Sequence, residues 1–387
     1  MTLEAFTAAA RERGFGPGQA ERAYREIFRD GKLEAFADRG RIIARVSIAP
    51  IVRELSEEVA EGVTTKFLQE LKGPGIGDRR PGTPDAQHHD GRSPIPSPPL
   101  TTESVIIPMR GRTGTHTHTL CVSSQVGCAM GCRFCETAQM GLVRSLTAEE
   151  IVGQWWAATH LKNARIDNIV FMGMGEPLDN IDEVIRAIAA LTDHNGAGVA
   201  MSRITISTVG RVDGLRKLDE VVKREGWRRL GLAVSVNAPN DDVRDDLMPI
   251  NRKWDMAELR DALLNFRRGS HRKICFEYVV IPGVNDDREH ARQLAAYLEP
   301  FTKPTAGRTG KSPVGLVNVI PYNPRRDSPW PAPTEESVDQ FMSWLTDDGL
   351  FVKRRRTKGR AMMGACGQLG AAEIRRRKYV GITVGDG

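Results

Sequence analysis

Four of the six cysteines of the chain lie in one stretch, Cys121-Val-Ser-Ser-Gln-Val-Gly-Cys128-Ala-Met-Gly-Cys132-Arg-Phe-Cys135. The last three have the spacing C-x3-C-x2-C. Zinc sites commonly pair two C-x2-C motifs, but no second pair follows here, because Cys366 stands alone near the end of the chain. A four-iron cluster normally takes four cysteine ligands, so three thiolates on one loop leave one iron open for a small molecule. The stretch therefore predicts an iron–sulfur cluster with an open iron.

The composition favours a cofactor-dependent protein of a reducing compartment. A chain of 387 residues can form a large core and an accessory domain. No apolar run is long enough to span a bilayer, and the first residues lack the pattern of a signal peptide. We therefore expect a cytoplasmic protein without a membrane partner, in which clustered cysteines are metal ligands or catalysts rather than disulfides.

Basic residues are concentrated near Cys366, although the net charge is only +6. Lys353-Arg-Arg-Arg356, Lys358 and Arg360 precede it, and Arg375-Arg-Arg-Lys378 follows it. A single basic run is often only a solvated face. Two runs that bracket one cysteine favour a polyanion held over it, because phosphate contacts supply most nonspecific affinity for nucleic acid.

The sequence divides into four segments. Residues 1–72 have apolar positions at helical spacing and predict a small helical accessory domain. Residues 73–100 are rich in Gly and Pro and predict a linker or surface insertion. Residues 101–350 form the predicted core, and residues 351–387 form a basic C-terminal segment that carries Cys366.

Strand-like apolar runs alternate with amphipathic helical patterns through the predicted core. The predicted strands are residues 120–123, 168–172, 203–207, 230–236, 275–280 and 315–320. The predicted helices are residues 148–160, 181–191, 214–224, 256–266, 288–298 and 335–345. Six β-α repeats with short connections predict an α/β fold, an open six-stranded (β/α)6 partial barrel.

Polar side chains follow the predicted strands where each strand ends. Cys128, Glu176, Ser207, Asn237 and Asn323 all lie at or just after such an end. The reactive loops of β/α barrels lie at the carboxyl ends of their strands. We therefore expect these five side chains to meet at one mouth of the barrel.

The flanks of the cysteine motif resemble the RlmN/Cfr family of radical S-adenosylmethionine (SAM) RNA adenine methyltransferases. The matches occur in one order over residues 101–372, which makes the resemblance far more specific than any one motif. Besides the cysteine stretch, they are Gly173-Met-Gly-Glu176-Pro, Ser207-Thr208, Ser235-Val-Asn237-Ala-Pro-Asn-Asp, Pro321-Tyr-Asn323-Pro and Gly364-Ala-Cys366-Gly-Gln-Leu.

The resemblance implies two cofactors. One is a 4Fe-4S cluster held by Cys128, Cys132 and Cys135, and the other is SAM, with two molecules consumed per turnover. The implied SAM pocket consists of Gly175, Glu176, Ser207, Ser235, Val236, Asn237 and Asn323. The implied partners are RNA and an electron donor such as flavodoxin, and the implied state is a monomer.

The resemblance also implies the roles of three further residues. Cys366 is first methylated by SAM, and the methyl carbon, once it has lost a hydrogen atom, adds to the adenine ring. Cys121 then attacks the sulfur of Cys366 and releases the RNA by forming a transient disulfide. Glu103 matches the position of the proton acceptor. Cys275 alternates into a strand, so we expect it to be structural.

Several functions remain open at this point. The expected reaction is methylation of carbon 2 of an adenosine in 23S rRNA, or also in tRNA, and the resistance-type reaction at carbon 8 is the first alternative. A radical SAM enzyme that acts on a peptide or small molecule is the second. An iron–sulfur or zinc RNA-binding module without SAM turnover is the third, but it leaves the match at both Cys121 and Cys366 unexplained.

Overall fold

The computed structural model describes residues 1–36, 40–71, 100–111, 114–269, 274–302 and 315–370. The predicted linker therefore lies outside the described residues, except for Leu100. The second basic run also lies outside them. Within the described ranges, a ten-stranded mixed sheet forms the centre of the molecule.

The chain begins with two short helices and a hairpin. These elements are α1 (Leu3–Glu12), α2 (Pro17–Phe28), β1 (Glu34–Phe36) and β2 (Ile42–Arg45). The Thr2 hydroxyl accepts from the Ala5 amide at the start of α1, and a proline opens α2 at the position where its missing N–H costs nothing. A small apolar core joins the helices to the hairpin.

An antiparallel half of the central sheet follows. It contains β3 (Ile51–Val59), β4 (Gly62–Leu71), β5 (Leu100–Arg110) and β6 (His116–Cys121), each paired with the next. The predicted helical domain of residues 1–72 is helical only as far as Phe28. The strands β1 to β4 occupy much of the remainder, so the prediction was wrong for that part. The strand β4 is extended because it pairs with β5, and β3 is extended because it pairs with β4. These pairings override the local helix propensity of both segments.

The parallel half of the sheet confirms the predicted fold class. From β6 outward, six further described strands follow in chain order, and every neighbouring pair is parallel. The remaining strands are β7 (Gln125–Gly127), β8 (Leu142–Ser145), β9 (Asn168–Phe171), β10 (Ile204–Thr208), β11 (Gly231–Ser235), β12 (Ile274–Val280), β13 (Gly315–Pro321) and β14 (Val352–Arg354). In the described sheet, β3 and β14 are the two edges, so the barrel is open.

Helices connect the parallel strands and cover the outside of the sheet. They are α3 (Glu136–Met140), α4 (Ala148–Trp156), α5 (Ile181–Thr192), α6 (Val212–Val222), α7 (Asp241–Leu247), α8 (Met256–Gly269), α9 (Arg288–Thr302) and α10 (Glu335–Asp347). All six predicted helices of the repeat are present, and their apolar faces join one large core with the strands. No described helix has both the length and the apolar character needed to cross a bilayer.

The N-terminal helices pack on the core through α4. The Trp156 indole donates to the Ile27 carbonyl oxygen at 2.9 Å, and the rings of Phe28 and Trp155 stack 6.2 Å apart. The Leu3 amide donates to an Asp193 carboxylate oxygen at 2.6 Å. These contacts fix the first two helices against the outside of the barrel, away from its mouth.

Candidate active site

The three-cysteine loop is enclosed by the antiparallel ribbon of β7 and β8. Gly127 lies in the left-handed region at φ 73°, and a Cβ there would be 1.8 Å from the Gly141 carbonyl oxygen. The same oxygen accepts from the Cys128 amide at 3.0 Å. The position therefore requires glycine, since only glycine permits this close approach of two backbones.

The thiols of Cys128, Cys132 and Cys135 line one cavity of about 130 Å³. Burial raises the pKa of the Cys128 thiol to about 12, and burial together with the neighbouring thiols raises that of Cys132 well above its usual value. Thiolates so deeply buried need a cation, because desolvation penalises the charge. A metal centre supplies that compensation.

The arrangement fits a cluster better than a single ion. Among the described residues, no three His, Cys, Asp or Glu side chains are placed to hold one metal ion. The cysteines of a cubane each bind a different iron, so they surround a cavity instead of converging on a point. Cys128, Cys132 and Cys135 do surround such a cavity, and they are the residues that would hold the cluster.

The predicted SAM residues meet beside these cysteines. Six of the seven line the same cavity, namely Gly175, Glu176, Ser207, Ser235, Asn237 and Asn323. Val236 does not line it, since its side chain is fully buried and its carbonyl oxygen accepts from Arg244 Nε at 3.1 Å. The polar residues that follow the strand ends therefore lie together, as expected for the carboxyl edge of a parallel sheet.

Glu176 connects two strand ends. Its Oε1 accepts from the Leu178 amide at 3.0 Å, and its Oε2 accepts from the Val209 amide at 2.9 Å. Burial raises the pKa of this carboxyl group, although the amide contacts and Arg211 oppose that shift. The side chain thus fixes the loops after β9 and β10, and any contact with a ligand would use its remaining lone pairs.

Arg244 is a functional-site residue that the sequence did not reveal. It is completely buried, and it donates to the carbonyl oxygens of Val236 and Val209 and to Asn251 Oδ1, the last two at 2.6 and 2.8 Å. The guanidinium group thereby joins the ends of β10 and β11, and it interacts electrostatically with Cys132. Its carrier, α7, is rich in aspartate and looks like an ordinary surface helix in sequence.

Cys366 lies at the junction of two cavities. It lines the cavity of the cluster cysteines and also a larger one of about 670 Å³. We define residues 363–370 as the Cys366 loop. Asn323 Nδ2 donates to the Cys366 carbonyl oxygen at 3.3 Å, and the Glu136 amide donates to the Gly367 carbonyl oxygen at 2.7 Å. The segment after the third cluster cysteine therefore holds the loop directly.

Cys121 lies at the end of β6, close enough to Cys366 for their charges to interact. Burial raises the pKa of the Cys121 thiol to about 12, the Cys366 thiol raises it further, and Arg355 lowers it. Burial also raises the pKa of Cys366, and Arg355 opposes this shift too. The structure thus brings the two predicted thiols together beside one guanidinium group.

Arg355 belongs to a partly buried polar network that the sequence did not predict. Its Nη1 is 3.1 Å from Glu277 Oε1, and the Ser207 hydroxyl donates to Glu277 Oε2 at 2.9 Å. Glu277 shares a face of β12 with Cys275, and Arg355 interacts electrostatically with both. In sequence, Arg355 was one member of a basic run, and Glu277 was one polar residue in an apolar strand.

Glu103 is buried rather than exposed at a sheet edge. It is 1% exposed, its Oε2 is 2.6 Å from Lys66 Nζ, and the same oxygen accepts from the Gly370 amide at 3.2 Å. Of the described residues, those that line the two cavities do not include Glu103. The Cys366 loop touches both, because Gly370 bonds to this carboxylate while Gly364, Ala365 and Cys366 line the larger cavity.

The first basic run borders the larger cavity, but acidic residues compensate part of its charge. The cavity-lining cations are Arg110, Lys353, Arg354, Arg355, Arg356 and Lys358. Glu61, in the turn between β3 and β4, lies 3.3 Å from Arg356 and 3.5 Å from Lys358. Arg356 remains 79% exposed at its side chain, so it stays accessible to an anionic ligand.

The chain is similar to a curated protein of Protochlamydia amoebophila that is named "Probable dual-specificity RNA methyltransferase RlmN 1". The two sequences are 37% identical over 381 residues, and the alignment covers 96% of this chain and 92% of that protein. This chain belongs to the RlmN family. The Lawsonia intracellularis RlmN is 41% identical over 69% of this chain and 71% of its own length. The Radical SAM superfamily model matches residues 122–295, from just before the cluster loop to α9.

A solved structure agrees with the RlmN assignment. A radical SAM methyltransferase from Sphaerobacter thermophilus superposes with a TM-score of 0.75 at 29% identity, over 95% of this chain and 97% of that chain. The resemblance found in sequence is thereby confirmed at the level of family and fold. Membership of a radical SAM family implies a 4Fe-4S cluster and SAM as cofactors.

Proposed function

We propose that this protein methylates carbon 2 of adenosine in 23S rRNA and tRNA, through an S-methylcysteine at Cys366. The relatives in the RlmN family are named dual-specificity RNA methyltransferases, which supports an RNA substrate. The observation that carries the proposal is the position of Cys366, which lines both the cluster cavity and the larger basic cavity. A methyl carrier must reach a donor on one side and a substrate on the other.

The smaller cavity is the proposed cofactor site. Cys128, Cys132 and Cys135 would hold the cluster, and the six lining residues at the strand ends would hold SAM. When bound, the cluster supplies the electron that splits SAM and so begins the radical chemistry. Two SAM molecules serve one turnover in this proposal, one as methyl donor and one as radical source.

Cys366 and Cys121 perform the covalent chemistry. The Cys366 thiolate takes the methyl group from SAM, with S-adenosylhomocysteine as the leaving group. The methyl carbon, after it loses one hydrogen atom, then bonds to the adenine ring. This detour is needed because carbons 2 and 8 of adenine are poor nucleophiles. The Cys121 thiolate then attacks the Cys366 sulfur, and the carbon–sulfur bond breaks with its electron pair left on the carbon, which takes up a proton to become the methyl group. A disulfide remains that an external thiol must reduce. Their shared electrostatic interaction with Arg355 supports this pairing.

Glu103 is the proposed proton acceptor, and its surroundings set a condition on that role. The Gly370 amide and Lys66 both contact its Oε2 in the described conformation. The carboxylate can reach a nucleotide in the larger cavity only when the Cys366 loop shifts. Proton removal is therefore coupled to loop position in this proposal.

The larger cavity is the proposed nucleotide site. Its volume of about 670 Å³ is within the range typical of ligand pockets. Arg356 and Lys358 at its border would contact backbone phosphates, which position RNA without reading its sequence. An electron donor such as flavodoxin and a monomeric, cytoplasmic protein complete the proposal.

Nucleoside analysis tests this function. Cluster-reconstituted protein is incubated without oxygen with SAM, a reductant and either 23S rRNA or tRNA, and the digested RNA is compared with 2-methyl- and 8-methyladenosine standards. We expect 2-methyladenosine from both RNAs. Cys366→Ala should give no methylated RNA, whereas the control Cys275→Ala, which alters a thiol on the strand beside Arg355, should remain active.

The other outcomes identify the alternatives. 8-Methyladenosine would assign the resistance-type reaction. 5′-Deoxyadenosine without a methylated nucleoside would contradict the RNA substrate and favour a peptide or small molecule. Cys121→Ala should accumulate a covalent protein–RNA adduct, and its absence during turnover would contradict the resolving role.

A further inference from the structure

We propose that Lys66 is a positioning residue for this reaction, because with Glu103 it holds both ends of the Cys366 loop. The inference rests on the proposed role of Cys366 as methyl carrier. Lys66 lies on β4, well before the radical SAM match that begins at residue 122. No sequence motif drew attention to it.

The contact between Lys66 and Glu103 follows from the strand register. Lys66 pairs with Val105, and Leu68 pairs with Glu103, so the two charged side chains are diagonal neighbours on one face of the sheet. Their side chains are 5% and 1% exposed, and Nζ lies 2.6 Å from Oε2. Water therefore solvates neither the ammonium nor the carboxylate group to any large extent.

The same two side chains hold the loop at its two ends. Lys66 Nζ donates to the Met363 carbonyl oxygen at 2.9 Å, and Glu103 Oε2 accepts from the Gly370 amide at 3.2 Å. Cys366 lies between these anchors. A single buried ion pair thus fixes the chain before and after the methyl carrier.

The anchor at Met363 is also a point of backbone strain. Met363 has φ 52°, a left-handed conformation that is unfavourable for a residue with a Cβ. Such conformations persist only where surrounding contacts impose them. The Lys66 hydrogen bond is one of those contacts, so the loop should relax when the ammonium group is removed.

Stability alone does not account for this pair. A buried ion pair can often be replaced by apolar side chains of similar volume without loss of stability. Apolar side chains could not bind the Met363 carbonyl and the Gly370 amide. What the charged pair adds is therefore the position of the loop, which places Cys366 between the two cavities and near Cys121.

Hydrogen exchange of the cluster-loaded protein without RNA tests the positioning. The peptide that contains residues 363–370 should exchange roughly tenfold faster in Lys66→Gln and Glu103→Gln, the effect expected from the loss of a charged hydrogen bond. The α9 peptide serves as an internal reference. Lys66→Arg keeps a cationic donor and should restore much of the protection.

A neutral double variant separates positioning from stability. Each single variant leaves one buried charge without its partner, and the double variant Lys66→Met with Glu103→Gln removes both charges. Its melting temperature should therefore be higher than that of the single variants, while the loop peptide still exchanges rapidly. Val338→Ala, a core truncation on α10, is the control for general destabilisation. Wild-type protection of the loop in either single variant, or in the double variant, would overturn the proposal.

A second readout separates this proposal from the proposed function. The rate at which SAM methylates Cys366, measured by peptide mass without RNA, should fall about tenfold in Lys66→Gln and recover in Lys66→Arg. If wild-type protein shows no S-methylation, the proposed function fails, and the exchange data alone decide the role of Lys66. If methylation is normal in Lys66→Gln, the positioning role is wrong.

Discussion

Arg355 interacts electrostatically with Cys366 and Cys121, the two thiols that are proposed to react. Its side chain is 26% exposed, and it pairs with Glu277, which is 4% exposed. Arg355 acts on Cys366 and Cys121 in the same direction, by favouring their thiolates against burial. Both proposed steps need a thiolate, first at Cys366 for methyl transfer and then at Cys121 for release.

Arg355→Gln should therefore slow alkylation of both thiols. Removing the guanidinium group raises the pKa of Cys121 and Cys366 further, and a rise of one unit lowers the thiolate fraction about tenfold at any pH below the pKa. The measurement is the rate of iodoacetamide labelling against pH, read by peptide mass.

The control for this experiment is Arg354→Gln. Arg354 is the neighbouring member of the same run, but it pairs with Glu335 and Asp339. Equal labelling rates in Arg355→Gln and wild type would show that the guanidinium group does not influence the thiols.

The sequence predicted the reactive residues better than their partners. Cys366 and the cluster cysteines stand in motifs, and their positions in the chain identify them. Lys66 and Glu277 stand in ordinary strands, and their partners lie 37 and 78 residues away at Glu103 and Arg355. Such pairs depend on strand register and on the order of the strands in the sheet, which a local pattern does not encode.

At the level of elements, the ribbon of β7 and β8 determines whether the cluster loop can form. Gly127→Ala should reduce the iron bound after reconstitution, because the new Cβ would meet the Gly141 carbonyl oxygen at 1.8 Å in a backbone conformation that disfavours a side chain. Iron and sulfide analysis measures the effect.

Gly153→Ala is the matched control for that substitution. A Cβ at this α4 position meets no atom within 4 Å, so the variant should load iron normally and gain roughly 0.5–1 kcal/mol in helix stability. Normal iron content in Gly127→Ala would contradict the close approach described for the ribbon.

The parallel repeat was predictable because its periodicities are strong. Its strands are short buried runs, and its helices have one apolar face, so two patterns alternate along the chain. The strand β3 was not predictable in this way. Its side chains are mostly exposed, and its sequence IVRELSEEV contains three glutamates, so pairing with β4 decides its conformation.

At the scale of the whole molecule, the larger cavity and its cationic border should make RNA binding depend on salt. Arg356→Gln should weaken binding to RNAs of any sequence and reduce the slope of log K against log salt by roughly 0.7–0.9, the contribution of one phosphate contact. Filter binding or anisotropy over a salt series measures the slope.

Two further variants test the sign and the location of this effect. Glu61→Gln removes the carboxylate that Arg356 and Lys358 share, so it should strengthen RNA binding. Arg292→Gln removes an exposed cation of α9 that pairs with Glu289, and it should leave the slope unchanged. Equal slopes in Arg356→Gln and wild type would place the RNA elsewhere.

Glu136 directly follows Cys135, the third cysteine of the motif, and its amide donates to the Gly367 carbonyl oxygen. This bond should affect how the metal centre is assembled. The Cys366 loop borders the cavity of the three cysteines through Cys366, Gly367 and Leu369, and in the proposed reaction it also carries the methyl group. We therefore expect a shift of this loop to change the access of both iron and SAM to the cavity. Chelators should remove iron more slowly from protein in which the loop keeps its bond to Glu136.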